Sequence, residues 1–347
     1  VQNYDYPADK NCWIATTAGN ASVAANWSQN RVPSASDAIL LDLFSSANMT
    51  WDVNGVNGLS DTVASWTQTT NYTGVVTFPI NFTNVVGAVF TNLTVTGDVV
   101  LVNGMWTHTA HTNTTTAMKK DYYRLKVTVG GNLTVASAAS ISVTGRGSYD
   151  AYNGSGGAYG GANYYGGSTV YGNPYEPENV GSSVKADDGK MGYAGGALWL
   201  EVAGNAVVAG TISANGQSVY GQWADVYCGS GGAIYLKAGS LSGTGAISAN
   251  GTGSGGSKSK NCSSGGRISI LLTESEMAFP LSKIKATGES EYGNVAGAGT
   301  IVVRTPATPN GTLFVANMPS LYGQYAYRPM LSQLTPIPSN QVWTFDA

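Results

Sequence analysis

The sequence predicts an all-β protein, a right-handed parallel β-helix (solenoid) with Gly-Gly coil corners and a long Gly/Tyr-rich insertion. Three observations predict it. Paired glycines open similar segments at Ala194–Leu200, Ser230–Leu236 and Ser264–Ile270, recurring after 36 and then 34 residues. A second motif runs in step, Gly210-Thr-Ile-Ser-Ala-Asn-Gly216 and then Gly245-Ala-Ile-Ser-Ala-Asn-Gly251, 35 residues on. Two motifs at one period are the mark of a stacked repeat. Within each segment apolar residues alternate, as at Leu198, Leu200 and Val202, which is the period of a half-buried strand.

Looser copies extend the array to 139–145 upstream and to 284–288 and 297–303 downstream. A unit such as 195–216 holds three short strands separated by Gly, Asn or Ala turns, one triangular coil. Each coil buries its apolar face only when the next one covers it, so the ends need separate treatment. A coil corner needs positive φ or close backbone approach, and a Cβ blocks both. Gly195, Gly196, Gly231, Gly232, Gly265 and Gly266 are therefore read as architecture. A nucleotide cradle would need a following helix and usually a Lys, and neither is present.

The chain divides into an N-terminal β-rich cap or irregular first coils over 1–84, a β-helix over 85–305, and a C-terminal extended segment over 306–347. The first part carries Trp13, Trp27, Trp51 and Trp66, no Gly-Gly pair, and apparent strands at 38–43 and 74–78. The insertion at 146–194 is rich in Gly and Tyr, and tyrosines suit packing flat on a sheet or on a neighbouring molecule. The last residues, 342–347, resemble 89–94, where the glycine-rich coils begin. That likeness predicts either a further unit or a strand added to the next subunit.

Asp, Glu, Lys and Arg make up 11% of the chain, against about 25% in ordinary domains. Hydroxyls, amides and attached sugar would have to keep the surface wet. A net charge of −3 gives no basic footprint for nucleic acid or an anionic membrane. No run approaches the roughly 18 apolar residues of a membrane span. With no initiator Met and no leader at its start, the chain reads as processed or trimmed.

Asn-x-Ser/Thr occurs twelve times, at Asn20, Asn26, Asn48, Asn71, Asn81, Asn92, Asn113, Asn132, Asn153, Asn250, Asn261 and Asn310. Composition alone would give roughly five, so N-glycosylation and an extracellular, secreted location are expected. At 92–95 and 132–135 the alternation points Leu and Val inward and Asn and Thr to solvent.

With these segments in view, the chain resembles the glycine-rich extracellular parallel β-helix proteins of plants, planctomycete-like bacteria and stramenopiles, including mastigoneme or flagellar-hair proteins. The resemblance rests on 231–237, 243–251, 265–270, 298–304 and 311–317, and covers roughly 85–347. Asn26-Trp27-Ser28, Pro33 and 37–40 also look like the opening segment of many secreted β-helices. It implies fold and setting more than activity, since the scaffold serves adhesion, structure and polysaccharide cleavage.

Chemistry-bearing residues are sparse. Cys228 and Cys262 stand at equivalent places on coils spaced about 4.8 Å apart, which predicts a disulfide and leaves Cys12 over. His108 and His111 would fall on opposite strand faces, against joint metal ligation. Glu176 with Glu178, Asp187 with Asp188, and Glu289 with Glu291 form no acidic ladder and read as solvated loop acids. Ser155 and Ser230 lie among glycines without a triad partner. No cofactor is implied. The leading expectation is a non-enzymatic structural subunit of a glycosylated filament or appendage, self-assembling end to end. Alternatives are a surface adhesin using Tyr and Trp platforms, and a polysaccharide lyase or hydrolase in which Lys285 or Arg304 would be the base.

Overall fold

The computed structural model describes residues 5–53, 60–79, 92–110, 124–147, 158–161, 170–183, 192–220, 226–253, 263–291 and 294–315. These residues form an all-β solenoid in which parallel strands stack coil on coil. Each coil has three faces. The first runs through Ala38–Leu41, Ser65–Gln68, the starts of Val99–His108 and Leu133–Ser142, Asn205–Val208 and Ser240–Ser242. The second runs through Met49–Thr50, Val75–Phe78, the ends of the same two long strands, Thr211–Ser213, Ala246–Ser248 and Ile284–Lys285. The third is Thr62–Val63, Leu93–Val95, Leu125–Val129, Ala197–Val202, Ala233–Ala238, Arg267–Leu272 and Thr300–Arg304.

The first two faces form one sheet because the two ten-residue strands bend through the corner between them, at Gly104 (φ +81°) and at a shift in register between Val135 and Ala138. Strands on both sides of residue 84 belong to the same sheets: Val63 pairs with Val95, and Trp66 with Val99. The tryptophan-rich start is thus stacked in register with the glycine-rich coils. Its interior is a file of Trp13, Trp27, Trp51, Trp66, Trp106 and Phe78, in edge-to-face contacts with centroids 5.1 to 6.4 Å apart, each such pair adding about 0.5–1.5 kcal/mol beyond burial. The buried Gln68 accepts from the indoles of Trp66 and Trp106 and donates to Asn103 O at 3.0 Å, so these polar atoms are satisfied inside the core.

The glycine pairs stand immediately before the third-face strands. Their second members close the coil: Gly196 N–H donates to Val143 O, Gly232 N–H to Ala214 O and Gly266 N–H to Ala249 O, at 2.7 to 2.8 Å. None of the six has positive φ, so what selects glycine is approach rather than backbone conformation. A Cβ on Gly232 would collide with Gly196 O, and one on Gly266 with Gly232 O. In these coils the chain leaves the coil at the corner between the second and third faces and returns through a glycine pair. The excursions are 144–195, 215–231 and 250–265, and 287–298 returns through Gly299.

Both described ends carry an antiparallel return. At the start, Trp13 bridges Trp27, Cys12 N–H donates to Ser28 Oγ, and Ser28 N–H to Cys12 O, each at 2.9 Å. Asn26 Nδ2 and Trp27 Nε1 reach the carbonyls of Asn20 and Ala21. At the other end Thr312–Phe314 runs antiparallel to Thr300–Arg304. Residues 342–347, expected to extend the ladder into a neighbour, lie outside the described residues.

Gly232→Ala is expected to lower stability by at least about 2 kcal/mol, because backbone cannot yield to the added methyl, and denaturant unfolding measures it. A second expectation concerns the cap, where both guanidinium nitrogens of Arg31 donate to the nearly buried Asp37. Burial pushes the Asp37 carboxyl up, but the Arg31 fork and Ser34 N–H outweigh it and hold it below its ordinary value. A depressed carboxyl contributes stability above the ordinary carboxylate range, lost as pH falls through the lowered value. Asp37→Asn should therefore melt below wild type at pH 6 and converge with it at pH 2.

Candidate functional site

A cluster of charged and aromatic side chains lies on the outer side of the third face. Parallel register builds it. Leu198, Leu200, Ile234, Leu236, Ile268 and Ile270 point into the solenoid, so the residues between them point out in columns. One column is Ala197, Ala233, Arg267 and Thr300, and a second is Lys126, Trp199, Tyr235, Ser269 and Val302. Glu201, Lys237 and Arg304 stand in a third. The rings of Trp199 and Tyr235 stack at 3.9 Å and 19°, and the Arg124 guanidinium lies 4.7 Å from the Trp199 ring.

Outward residues on such a face should be wet, yet Trp199 is 8%, Tyr235 5% and Arg267 1% exposed. Part of the insertion covers them. Tyr159, Val180 and the partly buried Tyr171 pack on Ala197 and Ala233. Gly160 lies against Gly266, and Gly161 against Ala298, too closely for any side chain. The cover is held by its own carbonyls: Arg267 Nε donates to Tyr171 O at 3.0 Å, Ser269 Oγ to Tyr175 O at 2.6 Å and Arg304 to Tyr175 O at 3.1 Å. Arg124 and Glu178 close it with an ion pair at 2.8 Å, 5% and 29% exposed.

Arg267 meets the Thr300 hydroxyl at 3.0 Å and the face of Tyr159 at 5.6 Å, and its second terminal nitrogen has no hydrogen-bond partner among the described residues. Burial pulls its pKa down and pushes that of Tyr159 up. The cover is thus clamped by desolvated, charge-assisted bonds. Arg304, a candidate base from sequence, has a terminal nitrogen engaged with Tyr175, whereas Lys285 is exposed.

The other sequence-predicted residues are scattered. Asn20, Asn48, Asn71, Asn132 and Asn310 are exposed, and Asn26 and Asn250 are half-buried. Asn92 corrects an expectation: it is 3% exposed rather than turned to solvent, because its Oδ1 accepts the Lys126 amide at 2.8 Å while Leu93 and Val95 point inward as predicted. Asn81, Asn113, Asn153 and Asn261 lie outside the described residues, as do His111, Asp187, Asp188, Ser155 and Cys262. Cys228 is buried, and the disulfide expected between it and Cys262 falls outside the described residues with Cys262. Cys12 is buried in the cap, which pushes its thiol up. His108 is buried, its Nδ1 2.7 Å from Thr109 O and its Nε2 accepting Ala197 N–H beside Gly196. Glu178 belongs to the clamp rather than to solvent. Among the described residues no group of three metal-ligating side chains comes together.

Sequence reasoning missed two ladders. At the first, Asn132 N–H donates to Asp98 Oδ1, Asn205 N–H to Asn132 Oδ1 and Ser240 Oγ to Asn205 Oδ1, at 2.6 to 2.9 Å. At the second, Asn215 N–H donates to Thr144 Oγ1, Asn250 N–H to Asn215 Oδ1 and Thr287 N–H to Asn250 Oδ1, at 2.8 to 3.3 Å. The repeated Ser-Ala-Asn-Gly was the signal for the second. Corner amides that no strand can accept are satisfied by the coil before.

Comparison with family models, with curated proteins and with solved structures returns no match. The site itself therefore carries the reading.

Tyr159→Ala should loosen the cover by about 3 kcal/mol, the ordinary cost of a truncated buried aromatic. Hydrogen exchange checks it: amides of 170–183 are expected to exchange faster while those of 197–202 and 233–238 keep their protection.

Proposed function

We propose that this chain is a structural subunit of a glycosylated extracellular filament or surface appendage. The observation that carries this reading is the use made of the polar side chains. Asn, Ser, Thr and Gln are laid along the solenoid to bind coil to coil, and the cations of the third face clamp the chain's own insertion. Side chains arranged in this way stiffen the stack of coils. The charge-poor composition, the excess of sequons and the likeness to extracellular β-helix proteins support the same reading.

Contact between copies, in this proposal, runs end to end through cap surfaces and side chains. An antiparallel return covers the first-face strand at one described end and the third-face strand at the other, a known way of blunting sheet edges. The adhesin alternative is weakened by the burial of Trp199 and Tyr235, which leaves that aromatic pair without an open ring face.

Electron microscopy of the purified chain, paired with light scattering over a concentration series, tests the proposal. Ordered linear polymers with an axial repeat near one solenoid length are expected. Discrete monomers at every concentration would overturn it.

A further inference from the structure

We infer that the asparagines that lock one coil to the next also serve as glycan acceptors. Asn48, Asn132 and Asn250 would carry N-linked oligosaccharide on Nδ2, while Asn92, with the same tripeptide signal, stays unmodified. This rests on the glycoprotein reading above and goes beyond it by assigning sites.

A side-chain amide has two ends with different chemistry. The oxygen accepts hydrogen bonds, and the nitrogen donates them and is the atom that is glycosylated. In the ladders these tasks fall on opposite ends of one group. Asn48 Oδ1 accepts Val75 N–H at 2.9 Å, and Asn250 Oδ1 accepts both the amide and the hydroxyl of Thr287 at 3.0 Å. Neither Nδ2 has a partner among the described residues. Asn132 Oδ1 accepts Asn205 N–H at 2.9 Å, and its exposed Nδ2 makes one long bond of 3.2 Å to Asp98. A glycosylated amide keeps one N–H, so this bond survives modification. At Asn48 and Asn250 the oxygen therefore faces along the stack and leaves the nitrogen unengaged, whereas at Asn132 the oxygen meets the next coil and the nitrogen the one before.

Asn92 uses its oxygen in the same way but buries its nitrogen. Its Oδ1 accepts the Lys126 amide at 2.8 Å, but its Nδ2 points to Pro79 O at 3.4 Å, and the residue is 3% exposed. A sugar there would have to replace buried protein. Asn26 and Asn71 hold their Nδ2 atoms in shorter bonds than Asn132 does, at 2.9 and 2.8 Å against 3.2 Å.

The transfer balances with a glycosyl pyrophosphate donor carried on a lipid. The amide nitrogen attacks the anomeric carbon, and the C–N bond forms as the C–O bond to pyrophosphate breaks. The Nδ2 proton passes to a base, and the lipid pyrophosphate leaves.

The test is glycopeptide mass spectrometry on the full chain secreted from eukaryotic cells, after enzymatic release in heavy-oxygen water. Tags are expected at Asn48, Asn132 and Asn250 and not at Asn92. Thr50→Ala and Thr134→Ala, which break the signal and spare the ladder, should each remove one glycan mass and leave the unfolding midpoint near wild type. Asn132→Asp should also remove the glycan, but it sets a second carboxylate against Asp98 in place of a donor and should lower the midpoint. Asn250→Ala should lose both the glycan and stability. A glycan on Asn92 of the folded protein overturns the inference. Unmodified Asn48, Asn132 and Asn250 with tags at other sequons overturn it too but leave the glycoprotein reading standing. Absence of glycan at all twelve sequons overturns both.

Discussion

Each glycine-rich coil closes through one hydrogen bond, from the second glycine of a pair to the carbonyl that ends the second face. The bond needs two stretches of backbone, with the coils above and below, to meet where no side chain can stand. Once that point is fixed, what lies between its two ends is free in length. Hence 144–195 and 215–231 can differ several-fold in size without disturbing the register of the strands that follow, since loop entropy grows slowly with length. The fold tolerates excursions at one corner because that corner is closed by backbone alone.

Closure by backbone has a second consequence, which is that charge is little needed to hold the coils. Apart from the Asp98 carboxylate, the ladders satisfy corner amides with neutral oxygens, and the tryptophan file does the corresponding work in the interior of the early coils. Lys126 and Glu201 pair at 3.7 Å between adjacent coils of the third face, and two shorter ion pairs hold attachments to the solenoid: Arg31 with Asp37 at the cap, and Arg124 with Glu178 at the cover. In these the acid or the base is nearly buried, so the pair holds a segment in place more firmly than an exposed pair would.

The period, the three-strand coil and the role of the glycine pairs were legible in the sequence because they recur, and stacking makes like residues lie on like. The strands near 38–43 and 74–78 were visible for the same alternation. What could not be read is what one coil does to another at a distance. The 1–84 segment looked irregular because its stacking rests on Trp66, Trp106 and Gln68, which share no motif. Asn92 looked exposed by alternation, and its burial depends on the Lys126 amide 34 residues on. The outward Trp199 and Arg267 carry no local sign of being covered, since the cover comes from residues that repeat nothing.

The ends follow from the same constraint. A coil closed on itself presents strand edges at its two ends, and these invite any partner with a free backbone. Here Asn26 and Trp27 satisfy carbonyls of the first coil with side chains, and Thr312–Phe314 turns antiparallel against the last third-face strand. An antiparallel return cannot pass on the parallel register of the coils, so a neighbour docking there meets a different template from the one inside. In the filament proposed above, association between copies would then be specified by side chains. In a surface with so little charge, that leaves shape, hydroxyls and amides to set the partner.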